Sequence, residues 1–237
     1  MQKAQRKAQN KQLRQKQQQQ KQKRNRILIW ATAVVVVALI VVAFALKPKE
    51  APIAIDYDQV PTLGSADAKV KLAEFGDFQC PTCRLFSLSV LPEIKKNYID
   101  KGLVSISFLN YTIIGPDSYT AALAAQSVYH QNKDEFWKYY DVLYKNQQDE
   151  NSGWATTDRL VELARNNGIQ VDYDKLRSDI ENKTYADEVD KQNNLAERKR
   201  FPGTPTVLLN GTRLTDNQAL QADHLKAEID KALAKAK

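Results

Sequence analysis

Histidine and cysteine are scarce in this chain of 237 residues: there are two of each. A structural zinc site takes four ligands, with close pairs along the sequence. Here the histidines, His130 and His224, fall in separate helical stretches, and there is only one close cysteine pair, Cys80 and Cys83. That spacing argues against zinc, and no residue is assigned to a metal. No calcium-loop motif stands out, and no internal repeat is visible. Acidic residues are missing from one whole stretch. Residues 1–26 carry ten Lys or Arg and no Asp or Glu. Taking those ten from the 35 basic residues leaves 25 against 28 acidic, so the net charge of +7 becomes −3 for the remainder. A basic folded surface is therefore not indicated, and with it goes the main reason to assign nucleic-acid binding. The tail also holds ten Gln and almost no large apolar side chains. It cannot bury a core and is expected to be disordered.

Residues 27–46, "ILIWATAVVVVALIVVAFAL", are apolar apart from Thr32. As a helix this run spans about 30 Å, the hydrocarbon thickness of a bilayer, and it has no polar face. Positive charge piles up before it, which places the tail in the cytoplasm and residues 47–237 outside. Ala43-Phe44-Ala45 resembles a signal-peptide cleavage site. However, the apolar run exceeds a signal core of roughly 7–15 residues, so the reading is an uncleaved single-pass anchor in the cell membrane. On either reading the folded part meets an oxidising compartment.

Residues 47–61 have three prolines and mixed charge and read as a linker. "AKVKLAEF" (68–75) reads as a strand ending near Gly76, and a helix begins at Cys80. In that helix Phe86, Val90 and Ile94 recur every four residues as a buried face, and Pro92 should kink or restart it. "LVSISFLNY" (103–111) is a second strand. From Ser118 to Arg200 the pattern is helical. Phe136, Tyr140 and Tyr144 step by four and are expected in the core. "TTDRLVELARNNG" opens on a Thr or Asp cap and closes on Gly168. The end returns to β structure: "PTVLL", a hairpin at Asn210-Gly211, "TRLT", and a helix over about 217–236.

A disulfide between Cys80 and Cys83 closes a tiny loop, and stabilisation through loop entropy grows with loop length. As a staple it would achieve little. Redox exchange explains the placement better. A cysteine at the first turn of a helix faces unpaired backbone N–H groups and the positive end of the dipole, which favour thiolate. Pro81 suits that turn because it has no N–H. Cys80 is then the reactive, more exposed sulfur, and Cys83, buried one turn along, resolves the mixed disulfide.

"EFGDFQCPTC" after a strand, with "FPGTPTVLLNG" far downstream, resembles the DsbA-like branch of the thioredoxin superfamily. It is most similar to the membrane-anchored Gram-positive oxidoreductases of the BdbD type. The resemblance implies an α/β fold: a thioredoxin fold split by a helical insertion. Its parts would be 62–115, the insertion 116–200, and 201–237, behind the tail 1–26, the anchor 27–46 and the linker 47–61. It implies that Cys80 attacks and Cys83 resolves, with Pro81 and Thr82 tuning them. Pro205 would be the cis-proline opposite the dithiol, with Thr204 before it binding an extended substrate strand. Glu74 would be the buried acid that assists proton transfer; an ordinary polar strand residue is the alternative. Thr82 stands where the enteric oxidase has a histidine and brings a hydroxyl without charge, so a low Cys80 pKa would rest mainly on the helix terminus and backbone donors. The implied activity is disulfide oxidation of reduced or unfolded exported proteins. The implied cofactor is none beyond the Cys80–Cys83 disulfide. The implied partner is a DsbB-like quinone-linked membrane thiol oxidase, and the chain is expected to be a monomer. A tethered reductase or isomerase, and a non-catalytic thioredoxin-like binding protein, remain open.

Overall fold

The computed structural model describes residues 16, 21–26, 28–39, 42, 51–150 and 152–236. The chain divides into two units, Met1–Glu50 and Ala51–Lys237. In the first, residues 21–26 and 28–39 are helical, with Leu28, Ile29, Trp30 and Val34 among its exposed apolar side chains. Among the described residues no helix is long and apolar enough to cross a membrane. Of the run 27–46, residues 27, 40, 41 and 43–46 lie outside the described residues, as do most of the tail and residues 47–50.

The second unit is built on a mixed sheet of five strands in the order β1-β3-β2-β4-β5. The strands are β1 (Thr62–Leu63), β2 (Val70–Gly76), β3 (Val104–Asn110), β4 (Thr206–Leu209) and β5 (Thr212–Arg213). β2 and β3 run parallel, with Glu74 opposite Phe108. β4 lies antiparallel on the other side of β2, with Glu74 opposite Val207. β3 is buried along its whole length and β2 at every position but Lys71, as expected of central strands covered on both faces. Alternate residues point to opposite faces. Val70, Leu72, Ile106, Phe108 and Val207 enter the main core. Ala73, Phe75, Leu109 and Leu208 enter a smaller one with Val60 and Phe201.

Helix α1 covers residues 81–99. It is α-helical at Pro81–Leu85 and Leu91–Ile94, with π-helical turns at Phe86–Val90 and Lys95–Ile99. Pro92 has no N–H for the preceding turn, and the ladder widens just before it, where the Leu91 N–H reaches back to Phe86 O. Five helices follow: α2 (Pro116–Gln131), α3 (Phe136–Lys145), α4 (Thr157–Asn166), α5 (Tyr173–Glu181) and α6 (Ala186–Arg198). The stretch from Ser118 is thus broken by loops at 146–156 and 167–172. Thr156, not Asp158, caps α4 by accepting the Arg159 N–H at 3.2 Å. The hairpin at Asn210-Gly211 has φ of 47° and 78°, both positive, as a type I′ turn requires.

Two expectations need correcting. The C-terminal helix is two: α7 (Asp216–Ala219), capped by Thr215, and α8 (Ala222–Lys235), with extended backbone at Gln221 between them. Residues 51–61, read as linker, lie against the sheet. The Ile53 N–H donates to Gly211 O at 2.8 Å, and Ile53, Ile55 and Tyr57 pack on the smaller core.

Candidate active site

β2 ends at Gly76, and the turn that follows is tied from several sides. Asp77 accepts from the backbone N–H of Gln79 at 2.8 Å, Ile113 at 2.9 Å and Ile114 at 3.2 Å. The Gln147 amide donates to Phe78 O at 2.8 Å and to Cys80 O at 3.1 Å. The Tyr144 hydroxyl donates to Asp77 O at 3.3 Å. The Phe78 ring sits 5.1 Å from those of Phe108 and Tyr144. This frame fixes the backbone at Cys80, which caps α1, with Pro81 in its first turn.

Both cysteines are free thiols. Cys83 is fully buried. Cys80 is also covered, only 6% exposed, so it is less open than the sequence led us to expect. Its cover is the loop before β4: the thiol donates to Thr204 O at 3.2 Å. The Thr204–Pro205 bond is cis. The Cys80 pKa is lowered to about 6. The largest cause is a hydrogen bond from the Cys83 thiol. Burial opposes it, and the Thr204 side chain and the backbone N–H groups of Cys83 and Thr82 add to it. The side-chain donors thus outrank the backbone donors on which the sequence laid the weight, and Thr82 acts through its N–H. Cys83 moves the other way: burial first, then its donation to Cys80 and the nearby Glu74, push its thiol well above the usual range. One sulfur is made ready as a thiolate and its neighbour is kept protonated, which is the asymmetry thiol exchange needs.

Glu74 lies in the middle of β2 and is fully buried. Burial pushes its pKa up to about 8, against the donation of the Tyr140 hydroxyl, which reaches its Oε2 at 2.7 Å. Beside the dithiol, Thr82, Thr204, Pro205, Asp216 and Leu220 line a cavity of ≈250 Å³. A roomier one of ≈470 Å³ lies between residues 54–60 and helices α2 and α6; the smaller one is next to the dithiol, since its lining includes Thr82, between the cysteines, and Thr204, which accepts from the Cys80 thiol. Among the described residues no group of three or more His, Cys, Asp or Glu is arranged to hold a metal ion.

The structure therefore brings Glu74, Cys80, Pro81, Thr82, Cys83, Thr204 and Pro205 together. Sequence reasoning missed Asp77, Tyr140, Tyr144 and Gln147. The four-residue spacing of Phe136, Tyr140 and Tyr144 marked a buried face, and only the tyrosine hydroxyls hinted at more.

The thioredoxin family model matches residues 57–231. The probable disulfide bond formation protein D of Bacillus cereus is 38% identical over 179 residues, covering 76% of this chain and 81% of the relative. The crystal structure of oxidised BdbD from Bacillus subtilis superposes with a TM-score of 0.73 at 31% identity, covering 79% of this chain and 100% of that one. Chlamydia trachomatis DsbA shares the fold, with a TM-score of 0.64 at 23% identity over 79% of this chain and 96% of that one.

Proposed function

The chain belongs to the thioredoxin family, among the thiol-disulfide oxidoreductases of the disulfide bond formation protein D type, and we propose that it works as an extracytoplasmic disulfide oxidase. A thiolate of a reduced, exported protein attacks Cys80 Sγ of the Cys80–Cys83 disulfide. A mixed disulfide forms on Cys80, and Cys83 leaves with the bonding pair and takes a proton from Glu74. The partner's second thiolate then attacks its own sulfur in the mixed disulfide and releases Cys80 as thiolate. The substrate has lost two electrons and the enzyme dithiol has gained them. Recharging requires a thiol oxidase in the same membrane, of the DsbB-like, quinone-linked kind.

The observation that carries this reading is Cys80 at the start of α1, its thiol 3.2 Å from Thr204 O in the cis-proline loop, a setting that lowers its pKa to about 6. A stable thiolate is a good leaving group, which favours handing the disulfide on. Thr204 supplies backbone for an extended chain at the sulfur. Leu85, just past Cys83, and Ile113, tied to Asp77, are about half exposed and offer apolar contact to unfolded substrates. The apolar run at 27–46 after a purely basic tail supports a single-pass anchor with the enzyme outside.

Oxidative refolding of a reduced secreted protein tests this. Cys80→Ala should abolish turnover with the fold intact, and Cys83→Ala, which cannot form the disulfide, should also be inactive but should accumulate an unresolved mixed disulfide on Cys80 when given glutathione disulfide. A Cys80–Cys83 potential near thioredoxin's, about −270 mV, in place of a value nearer the roughly −120 mV of DsbA, would point to the reductase. Unchanged cellular function of Cys80→Ala would point to the binding protein. Labelling of the reduced dithiol in intact cells by a membrane-impermeant thiol reagent tests the location.

A further inference from the structure

Glu74 sits among groups that offer it no positive charge. Tyr140 and Tyr144 face it from α3, and Cys80 and Cys83 from α1. Asp77 lies beyond, beside Tyr144. The strands on either side present Phe108 and Val207, which do not titrate. The one hydrogen bond to the carboxyl comes from Tyr140, at 2.7 Å to Oε2; Oε1 is buried without a partner. The phenol has little freedom. Its ring is 5.3 Å from Phe108, 4.9 Å from Trp137 and 4.8 Å from Tyr144, each at a steep angle. The carboxyl is confined as well, since a Cβ at Gly76 would stand 3.1 Å from Oε1 and 2.5 Å from the Phe108 ring.

We propose that Tyr140 is a positioning residue for Glu74: its phenol holds one carboxyl oxygen and leaves the other to exchange a proton with Cys83. A helix of the insertion thereby sets the proton transfer at a dithiol that lies outside it. This rests on the reading of Glu74 given above. The step is the closure of a mixed disulfide on Cys80. The Glu74 carboxylate takes the proton of the Cys83 thiol, and the Cys83 sulfur pair attacks Cys80 Sγ. The bond from Cys80 to the partner sulfur breaks, and the partner leaves as thiolate. The dithiol is oxidised and the partner reduced. Burial alone would keep the carboxyl protonated, whereas the Tyr140 donor lowers its pKa and so enlarges the fraction present as base near neutrality.

The test uses the full chain, reduced and then mixed with glutathione disulfide, with closure of the Cys80–glutathione adduct followed by rapid acid quench across pH. Tyr140→Phe keeps the ring and its packing. It should move the acid limb of the closure rate up by about one pH unit and slow closure about tenfold at pH 7, the loss expected for one hydrogen bond to a carboxylate. Glu74→Gln should slow closure further, and the double variant should be no slower than Glu74→Gln. An unmoved limb in Tyr140→Phe, with Glu74→Gln slowed, overturns the role given to Tyr140. A Tyr140→Phe loss that adds fully to that of Glu74→Gln makes the tyrosine merely structural and overturns it too. Full-rate closure in Glu74→Gln overturns the underlying reading of Glu74 itself.

Discussion

Two groups at the site pull the stability of the reduced protein in opposite directions as pH changes. Cys80 has its pKa lowered from 9.0 to about 6 on folding, so its contribution is full above pH 9 and lost as pH falls through 6. At pH 7 that amounts to about 1 kcal/mol. The oxidised protein has no thiolate, so the reduced form should be the more stable, with the gap in urea midpoints wider at pH 8 than at pH 5. Equal midpoints at pH 8 would count against a stabilised thiolate. Glu74, raised from 4.5 to about 8, has the opposite sign: its contribution is full below pH 4.5 and lost as pH rises towards 8. Glu74→Gln removes that loss and should stabilise the protein by about 3 kcal/mol at pH 7 but hardly at pH 4, as urea unfolding at the two pH values would show. The cysteines and Pro81 were legible in the sequence because their chemistry depends on neighbours one turn away. Tyr140 was not, because its partner is 66 residues distant, and i, i+4 spacing predicts a buried face without saying what the hydroxyl meets there.

The elements that could be read were those with a period or a turn rule of their own. β2 and β3 appear within two residues of their expected limits, because runs of apolar and β-branched residues bounded by turns have few other uses. The Asn210-Gly211 hairpin was equally plain. Residues 51–61 were not, because their composition resembles a linker and their hold on the domain is almost entirely backbone and a few side chains. β1 is two residues long and pairs with Ser107 and Ile106, too short for any pattern to reveal. The hairpin and this segment are locked together at Gly211, where φ is +78° and an added Cβ would stand 2.6 Å from Ile53 O. Gly211→Ala should therefore cost about 1–3 kcal/mol through strained backbone and the clash, and should release the strap. The expected signature is faster proteolytic cleavage within 51–61, together with a lower urea midpoint. A variant cleaved no faster than the parent would mean that Ile55, Tyr57 and Val60 hold the segment without the hairpin.

At the scale of the folded unit, the division into 62–115, 116–200 and 201–237 describes chain order more than energetics. The main core runs without a break from Val70, Phe78 and Phe108 in the first part, through Tyr140, Leu160 and Leu176 in the insertion, to Val207 and Leu225 in the last. The frame around Cys80 is likewise shared, since Gln147 and Tyr144 come from the insertion. A hydrophobic pattern read along the sequence marks which side of each helix is buried, but the same pattern would arise from a helical domain packed only on itself. Contact decides between these, and contact here crosses the boundaries. The insertion should therefore not unfold ahead of the sheet. In a chain of residues 51–237, the two remaining tryptophans, Trp137 and Trp154, both report the insertion. Cys83, fully buried on α1, reports the thioredoxin part through its reactivity with a thiol reagent. With one shared core the two probes should give the same urea midpoint, and Tyr144→Ala, which removes a fully buried ring packed on Phe78, should lower both together by about 3–5 kcal/mol in unfolding free energy. A tryptophan transition that precedes thiol exposure would make the insertion a separate folding unit, and its grip on the active-site turn would then be weaker than the hydrogen bonds at Phe78 and Cys80 imply.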